Sequence, residues 1–282
     1  MKYTKRTIIP SEIETKDLHQ YLLGSVSPRP IAFVSTINKE GVANLAPYSF
    51  FNAFSSNPPI VVFSSNRRVA NNTTKDTLHN IEINKDCVIS VVNYDIMRQM
   101  ALTSVEFPSD VSEFTKTGLT PVPSETVAAP GVAESPVNME CKVKEIITLG
   151  EHGGAGHLII CHITRMHIAE EVIDDGRINP HKIDLVGRMG RSFYTRASGD
   201  AIMTLYQNVK SKPLGYDKLP ESIRNSPILT GNQIGALAAL EELPTEEEII
   251  AVQLEEGESK ESACIRLIES DNPKMALAIM MK

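Results

Sequence analysis

The segment FSSNRRVANNTTKDTLHN, residues 63–80, concentrates groups that bind an anion. Ser64, Ser65, Thr73, Thr74 and Thr77 supply hydroxyls, and Arg67, Arg68 and Lys75 supply cations. They lie between a β-rich run and a run of helical spacing, so the first N–H groups of a helix would face the same ligand. Thr73 or Thr74 is the expected cap of that helix. A terminal phosphate suits such a set. A solvated loop with an ordinary cap has the same composition, and composition alone leaves both readings open.

The histidines invite a second reading. His152, His157, His162 and His167 recur at intervals of five. Along a strand an odd interval alternates faces, and supporting carboxylates are few, so no metal site is expected. Cys87, Cys141, Cys161 and Cys264 contain no CxxC pair and read as reduced, buried thiols. The dinucleotide fingerprint, the P-loop, the GxSxG elbow and HExxH are all missing from the sequence. GRMGRSF (187–193) has spaced glycines, but it does not open a helix after a parallel strand.

A third stretch, NLAPYSFFNAFSSNPP (44–59), packs Tyr48, Phe50, Phe51 and Phe54 into seven positions of a chain with only seven tyrosines, eight phenylalanines and no tryptophan. Ser, Asn and Ala alternate with them. By period it is neither a clean strand nor a clean helix. The aromatics suit barrel or subunit core as well as a ligand wall.

The elements that must position these groups are mostly strands. IAFVSTI (31–37) followed by the turn NKEGV (38–42) is a hairpin signal, and PIVVFSS (59–65) and CVISVVN (87–93) are further strands. KDTLHNIEIN (75–84) has helical spacing, with Leu78, Ile81 and Ile83 inward. NMECKVKEIITLG (138–150) and GHLIICHITRMHIAEEVI (156–173), joined by EHGGAG, form an antiparallel hairpin. The pattern is an antiparallel barrel with inserted helices. From about residue 206 helical periods take over, with apolar residues at 234, 237, 240 and 243, and the apolar tail NPKMALAIMMK is expected to pack on the body or on a partner subunit.

The 282 residues carry a net charge of −7, against the basic face that nucleic acid demands. The apolar runs are too short to span a bilayer and the start lacks a signal-peptide core, so a cytoplasmic protein without membrane contact is expected.

Five separated segments then occur in a familiar order: YLLGSVSPRPIAFVSTINKEGVANLAPYSFFNAFSSNPPIVVFSS, KDTLHNI, VNMECKVKEI, GHLIICHITRMHI and LVGRMGRSFY. Together, over about residues 8–200, they resemble the flavin reductase-like family with the FMN-binding split barrel, in the branch carrying SPRPIAFVST and NLAPYSFFN. The resemblance implies a mainly β fold with added helices: a Greek-key, antiparallel split β-barrel over 1–205 with a C-terminal helical extension over 206–282. It implies a homodimer with FMN at the subunit interface. Ala46, Pro47, Ser49, Phe50 and Asn52 then match positions that meet the isoalloxazine. Ser64, Arg67, Lys75, Asp76 and Thr77 match the phosphate and ribityl region, with Arg67 and Arg68 both open at the phosphate. Arg29, Ser35 and Thr36 fall near the flavin. Arg188 and Tyr194 match R-x-G-x-x-x-Y near the end of the barrel, with Arg191 where many members carry Gly.

His157 matches the His of a Gly-Asp-His signature near the nicotinamide. Gly156 stands in place of its Asp, and Cys161-His162-Ile163 replaces Gly-Glu-Val. The implied activity is NAD(P)H-dependent flavin reduction or a related oxidoreduction, with FMN as cofactor and NAD(P)H as co-substrate. His157 and His167 are the catalytic candidates, as groups that orient the nucleotide. Members of this branch are described as reductase components of oxygenases or as uncharacterised flavoproteins, so a partner oxygenase belongs to the expectation. The other reading is a flavin-binding protein without turnover: a carrier, store or sensor. A flavin carries the redox chemistry itself, which suits a chain without an acid–base motif.

Overall fold

The run IAFV opens a strand that is buried on both faces. In β1 (Ala32–Ile37), Ala32 and Val34 enter one core with Phe63, Ile89 and Ile159, while Phe33 and the preceding Ile31 enter another with Leu45, Met100 and Phe114. A strand covered on both sides has no polar face to present, hence the continuous apolar run. The computed structural model describes residues 3–205 and 212–282. Residues 206–211, where the expected C-terminal extension begins, lie outside the described residues.

The chain divides into two compact units, Met1–Met203 and Thr204–Lys282. In the first, β1 turns into β2 (Ala43–Tyr48) through NKEGV. Asn38 Oδ1 accepts the N–H groups of Glu40 and Val42 at 3.0 and 2.8 Å, and Gly41 takes φ +82°. β3 (Phe51–Ser56), β4 (Pro59–Ser64), β5 (Asp86–Val91), two short strands β6 (Pro121–Val122) and β7 (Gly131–Val132), and the long β8 (Val137–Thr148) and β9 (His157–Ile168) follow. Seven of them form one antiparallel sheet in the order β2-β1-β5-β8-β9-β4-β3. Its two edges, β2 and β3, are consecutive in the chain and joined only by Ser49 and Phe50. Two residues reach about 11 Å between flanking Cα atoms, so the sheet must curl until its edges meet. The stretch 44–59 is therefore two strands with a corner at 49–50, which is why it has no single period.

Helices cover this body: α1 (Thr15–Ser25), α2 (Asp76–Asn84), α3 (Met97–Leu102), α4 (Glu113–Thr117) and α5 (Pro180–Ile183), with the hairpins β10 (Ile173–Asp174)–β11 (Arg177–Ile178) and β12 (Val186–Arg188)–β13 (Tyr194–Arg196). α2 buries Leu78 and Ile81 as expected, whereas Ile83 is 62% exposed: two residues beyond Ile81 is about 200° of rotation, which turns it to the opposite side of the helix. The expected Thr cap is also corrected. The N-cap is Lys75, without a side-chain cap bond, because Thr73 and Thr74 are engaged by Arg68 and His79.

The second unit has its own core. α6 (Glu221–Arg224), α7 (Gly231–Ala238), α8 (Glu246–Ala251), α9 (Lys260–Glu269) and α10 (Pro273–Met281) enclose Leu237, Cys264, Leu267 and Leu277. Thr230 with Gln233, and Thr245 with Glu248, form reciprocal caps at two helix starts. The apolar tail does not need the body or a partner: α10 buries Ala276, Leu277, Ala278 and Ile279 inside this unit. Among the described residues no helix is long and apolar enough to cross a membrane, and no group of three or more His, Cys, Asp or Glu is placed to hold a metal. The four thiols are free and buried, with Cys87 opposite Cys141 across β5 and β8.

Two buried charges fasten the first unit, and each makes a prediction. α1 contains no fully buried residue, yet the Arg29 guanidinium donates to Leu23 O (2.6 Å), Val26 O, Met189 O (3.2 Å) and Ser49 Oγ (3.3 Å). Arg29→Met should cost about 2–3 kcal/mol in chemical denaturation. It should also speed amide exchange over residues 15–25; unchanged protection there would show that α1 is held by other means. Glu140 is buried in β8 and accepts the N–H groups of Glu125 (2.8 Å) and Thr126 (2.6 Å), Thr126 Oγ1 (2.5 Å) and His167 Nε2 (2.7 Å). Burial works to raise its pKa, but these donors outweigh it and hold the carboxyl down to about 2, against an ordinary 4.5. Its contribution is thus complete above pH 4.5 and lost as pH falls towards about 2. The stability gap between wild type and Glu140→Gln should close over that window, and a gap independent of pH would refute the assignment.

Candidate functional site

The polar segment after β4 is fixed by the start of β9. Ser65 and His157 exchange backbone hydrogen bonds (3.1 and 3.2 Å), and Arg67 N donates to Ala155 O at 2.8 Å. The approach leaves no room for side chains on the opposing loop. A Cβ at Gly153 would lie 2.9 Å from Val69 O, and one at Gly156 would lie 2.6 Å from Ser64 Oγ. The Gly156 that replaces the Asp of the signature therefore sits where the chain is packed against Ser64. Beyond the seam, Arg68 N and Thr73 O close the loop at 2.9 Å, with Asn72 at φ +58°.

This loop delivers the predicted residues to two clefts. One, of about 100 Å³, is lined by Asn44 and Ala46 of β2, by Arg68, Lys75, Asp76 and Thr77, by Thr103–Phe107 and by Glu113. Lys75 is half-buried at the start of α2, with its ammonium 4.9 Å from the centre of the Tyr48 ring. Burial lowers its pKa and Arg68 lowers it further, while Glu106 and Glu113 oppose the shift. Among the described residues no carboxylate lies within ion-pair distance of it. Burial pushes the Tyr48 phenol up to about 12. The Tyr48 hydroxyl, Ser65 Oγ and Arg67 Nε are buried without a well-aligned hydrogen-bond partner among the described residues, while the Thr77 and Ser65 hydroxyls lie close enough to the phenol to restrain that rise.

The back of this cleft is a polar network. Asn44 Oδ1 accepts Thr77 Oγ1 (2.8 Å) and Thr36 Oγ1 (3.4 Å), and Asn80 Nδ2 donates to Thr36 (3.0 Å). The buried Glu113 carboxylate accepts Leu45 N at 2.8 Å and Asn44 Nδ2 at 3.1 Å. Burial raises its pKa, against the pull of those donors.

The other cleft, of about 580 Å³, is mostly apolar. Arg29, Ser49, Phe50, Phe51, Asn52, Phe54 and Ser64 line it, together with α1 through Leu18, His19 and Leu22. The Arg29 guanidinium lies 5.8 Å over the Phe50 ring, and His19 meets the same ring edge-on at 6.3 Å. Burial and Arg29 both lower the pKa of His19.

The remaining predicted residues lie elsewhere. Ser35 is buried with its hydroxyl on Pro130 O, and Pro47 pairs with Phe33 in the β1–β2 ladder. Arg67 Nη1 reaches Asn72 O (3.1 Å), so of the two arginines Arg68 is the one in the Lys75 cleft. Arg188 stacks 4.5 Å over Tyr194 and donates to Arg191 O at 2.6 Å. His157 is buried and its Nδ1–H donates to Ser65 O at 2.9 Å; His167 pairs with Glu140. Neither lines either cleft, and ten residues of one strand put them roughly 33 Å apart. Sequence reasoning missed His19, Asn44, Glu106 and Glu113, whose placement depends on contacts between distant segments. The one local signal was the Asn that opens NLAPYSFFN.

Comparison with known proteins agrees with this architecture. A family model described as a flavin reductase like domain matches residues 23–182. Nitrilotriacetate monooxygenase component B from Bacillus cereus is 33% identical with a TM-score of 0.67, covering 72% of this chain and 100% of that one. The 2-nitrobenzoate 2-nitroreductase NbaA of Pseudomonas fluorescens is 30% identical with a TM-score of 0.64, covering 73% and 99%. A split-barrel protein from Shewanella frigidimarina is 27% identical with a TM-score of 0.59, covering 70% and 94%. With the curled antiparallel sheet and the matched segment extending over more than half its length, the chain belongs to the flavin reductase-like family of split-barrel proteins.

Proposed function

We propose that this protein binds FMN and acts as an NAD(P)H-dependent flavin reductase or a related oxidoreductase. The observation that carries the reading is Lys75: a half-buried cation without a carboxylate partner among the described residues, at a helix start without a side-chain cap, in a cleft with Thr77 and Arg68. In this reading Lys75, Arg68 and Thr77 hold the phosphate. Ser49, Phe50 and Asn52, with Arg29 behind them, form the wall for the rings. The chemistry a bound flavin supplies is acceptance of hydride from the nicotinamide and onward delivery of its electrons. The chain's own part is binding and field: His157 steadies the phosphate loop through Ser65, and His167 holds Glu140 at the far end of β9. The likeness to a monooxygenase component B supports an oxygenase as partner. A homodimer is part of the proposal, supported by β3, an edge strand with five exposed residues including Phe54 at 68%.

Three measurements test this. Lys75→Ala should weaken FMN binding by about 1.5–3 kcal/mol, read by fluorescence titration, and leave riboflavin affinity unchanged; equal FMN affinity would remove the phosphate assignment. Wild-type protein should oxidise NADH or NADPH steadily when FMN is supplied, and a yellow protein with no oxidation would make it a flavin carrier. Phe54→Asp should shift the sedimentation coefficient towards the monomer, and an unchanged value would place the interface elsewhere.

A further inference from the structure

The cleft that holds Lys75 already contains an anion of the protein's own. Arg68 Nη2 lies 2.9 Å from Glu106 Oε1, with the arginine side chain 25% exposed and the glutamate 69%. Arg68 Nη1 is committed to Thr73 Oγ1 (2.8 Å) and Thr74 O (2.7 Å), so Nη2 is the edge offered to an anion. Glu106 comes from the segment after α3 and has no other polar partner among the described residues. Its carboxylate neutralises Arg68 and stays beyond ion-pair distance of Lys75, which feels it only through space.

We propose that Glu106 is a displaceable counter-ion that holds the place of a phosphate monoester on Arg68, so that ligands are sorted by their terminal charge. This rests on the reading of the cleft as the phosphate site. A phosphate monoester carries a charge of about −1.5 to −2 near neutral pH and three acceptor oxygens. It can satisfy Arg68 and Lys75 together, which one carboxylate on an exposed segment does not. A flavin without a phosphate gains nothing by displacing Glu106 and leaves the pair intact. In the ligand-free protein Glu106, with Glu113, partly offsets the lowering of the lysine pKa by burial and by Arg68. Each phosphate-bearing ligand must break the Arg68–Glu106 pair to enter, so affinity is moderated and release is quickened.

The test titrates FMN and riboflavin into wild type, Glu106→Gln and Lys75→Ala by fluorescence quenching, with melting temperatures checked for each. Glu106→Gln should bind FMN roughly two- to fivefold tighter, with riboflavin unchanged. If Lys75→Ala loses FMN while Glu106→Gln binds it as wild type or more weakly, the cleft stands and the role of Glu106 falls. If Glu106→Gln tightens FMN and riboflavin alike, the effect belongs to the loop and the counter-ion role also falls. If Lys75→Ala leaves FMN affinity untouched, the phosphate reading fails and takes this inference with it.

Discussion

Two residues, Ser49 and Phe50, join the opposite edges of a seven-stranded sheet, and this constraint shapes the rest of the first unit. A flat sheet of this strand order would hold β2 and β3 some six strand spacings, about 29 Å, apart. The linker spans about a third of that, so curling is compulsory. The corner carries no ladder hydrogen bonds between the two edges. It is secured by side chains: Arg29 donates to Ser49 and covers Phe50, while its remaining donors tie in the end of α1 and the turn before β13. One buried cation thereby links three segments that share no extended backbone pairing.

The charges around the Lys75 cleft follow a similar economy. Lys75, Arg68, Glu106, Glu113 and Asp76 crowd a small volume, but only Arg68 and Glu106 form a direct pair. Glu113 is spent on the backbone of β2 and on Asn44, and burial leaves it less acidic than an ordinary carboxyl. The lysine is thus left without a carboxylate partner among the described residues.

What the sequence made legible was local. The β1–β2 turn was readable because Asn38 and Gly41 fall where the turn chemistry needs them, and the β8–β9 hairpin because EHGGAG interrupts two long alternating runs. The corner at Ser49–Phe50 was not readable from period, since the topology that demands it involves β8 and β9, which lie roughly ninety to a hundred and twenty residues away. The helix start slipped by one or two residues because Thr73 and Thr74, good caps by type, are taken by Arg68 and His79. The tail is expected on the body or on a partner subunit because an apolar run has no local mark of its destination; Leu237, Cys264 and Leu267 supply it within the helical unit. In the site, Ala46, Lys75, Asp76 and Thr77 reach one cleft and Arg29, Ser49, Phe50, Asn52 and Ser64 the other. Glu113 is visible only once α4 is laid against β2.

The odd composition of NLAPYSFFNAFSSNPP follows from the same corner. Its first half is an edge strand beside β1: Leu45, Ala46 and Tyr48 go to the cores, and Asn44, with one side of Ala46, meets the small polar cleft. Its second half is the other edge, where Phe51 leans on the core, Phe50 and Asn52 face the larger cleft, and Phe54 is exposed. A segment that serves two edges, two cores and two clefts within sixteen residues has no position free to keep a period. Small residues occur where backbone must approach something and aromatics where a surface must be covered. The irregularity records how many different neighbours one short stretch of chain has to meet.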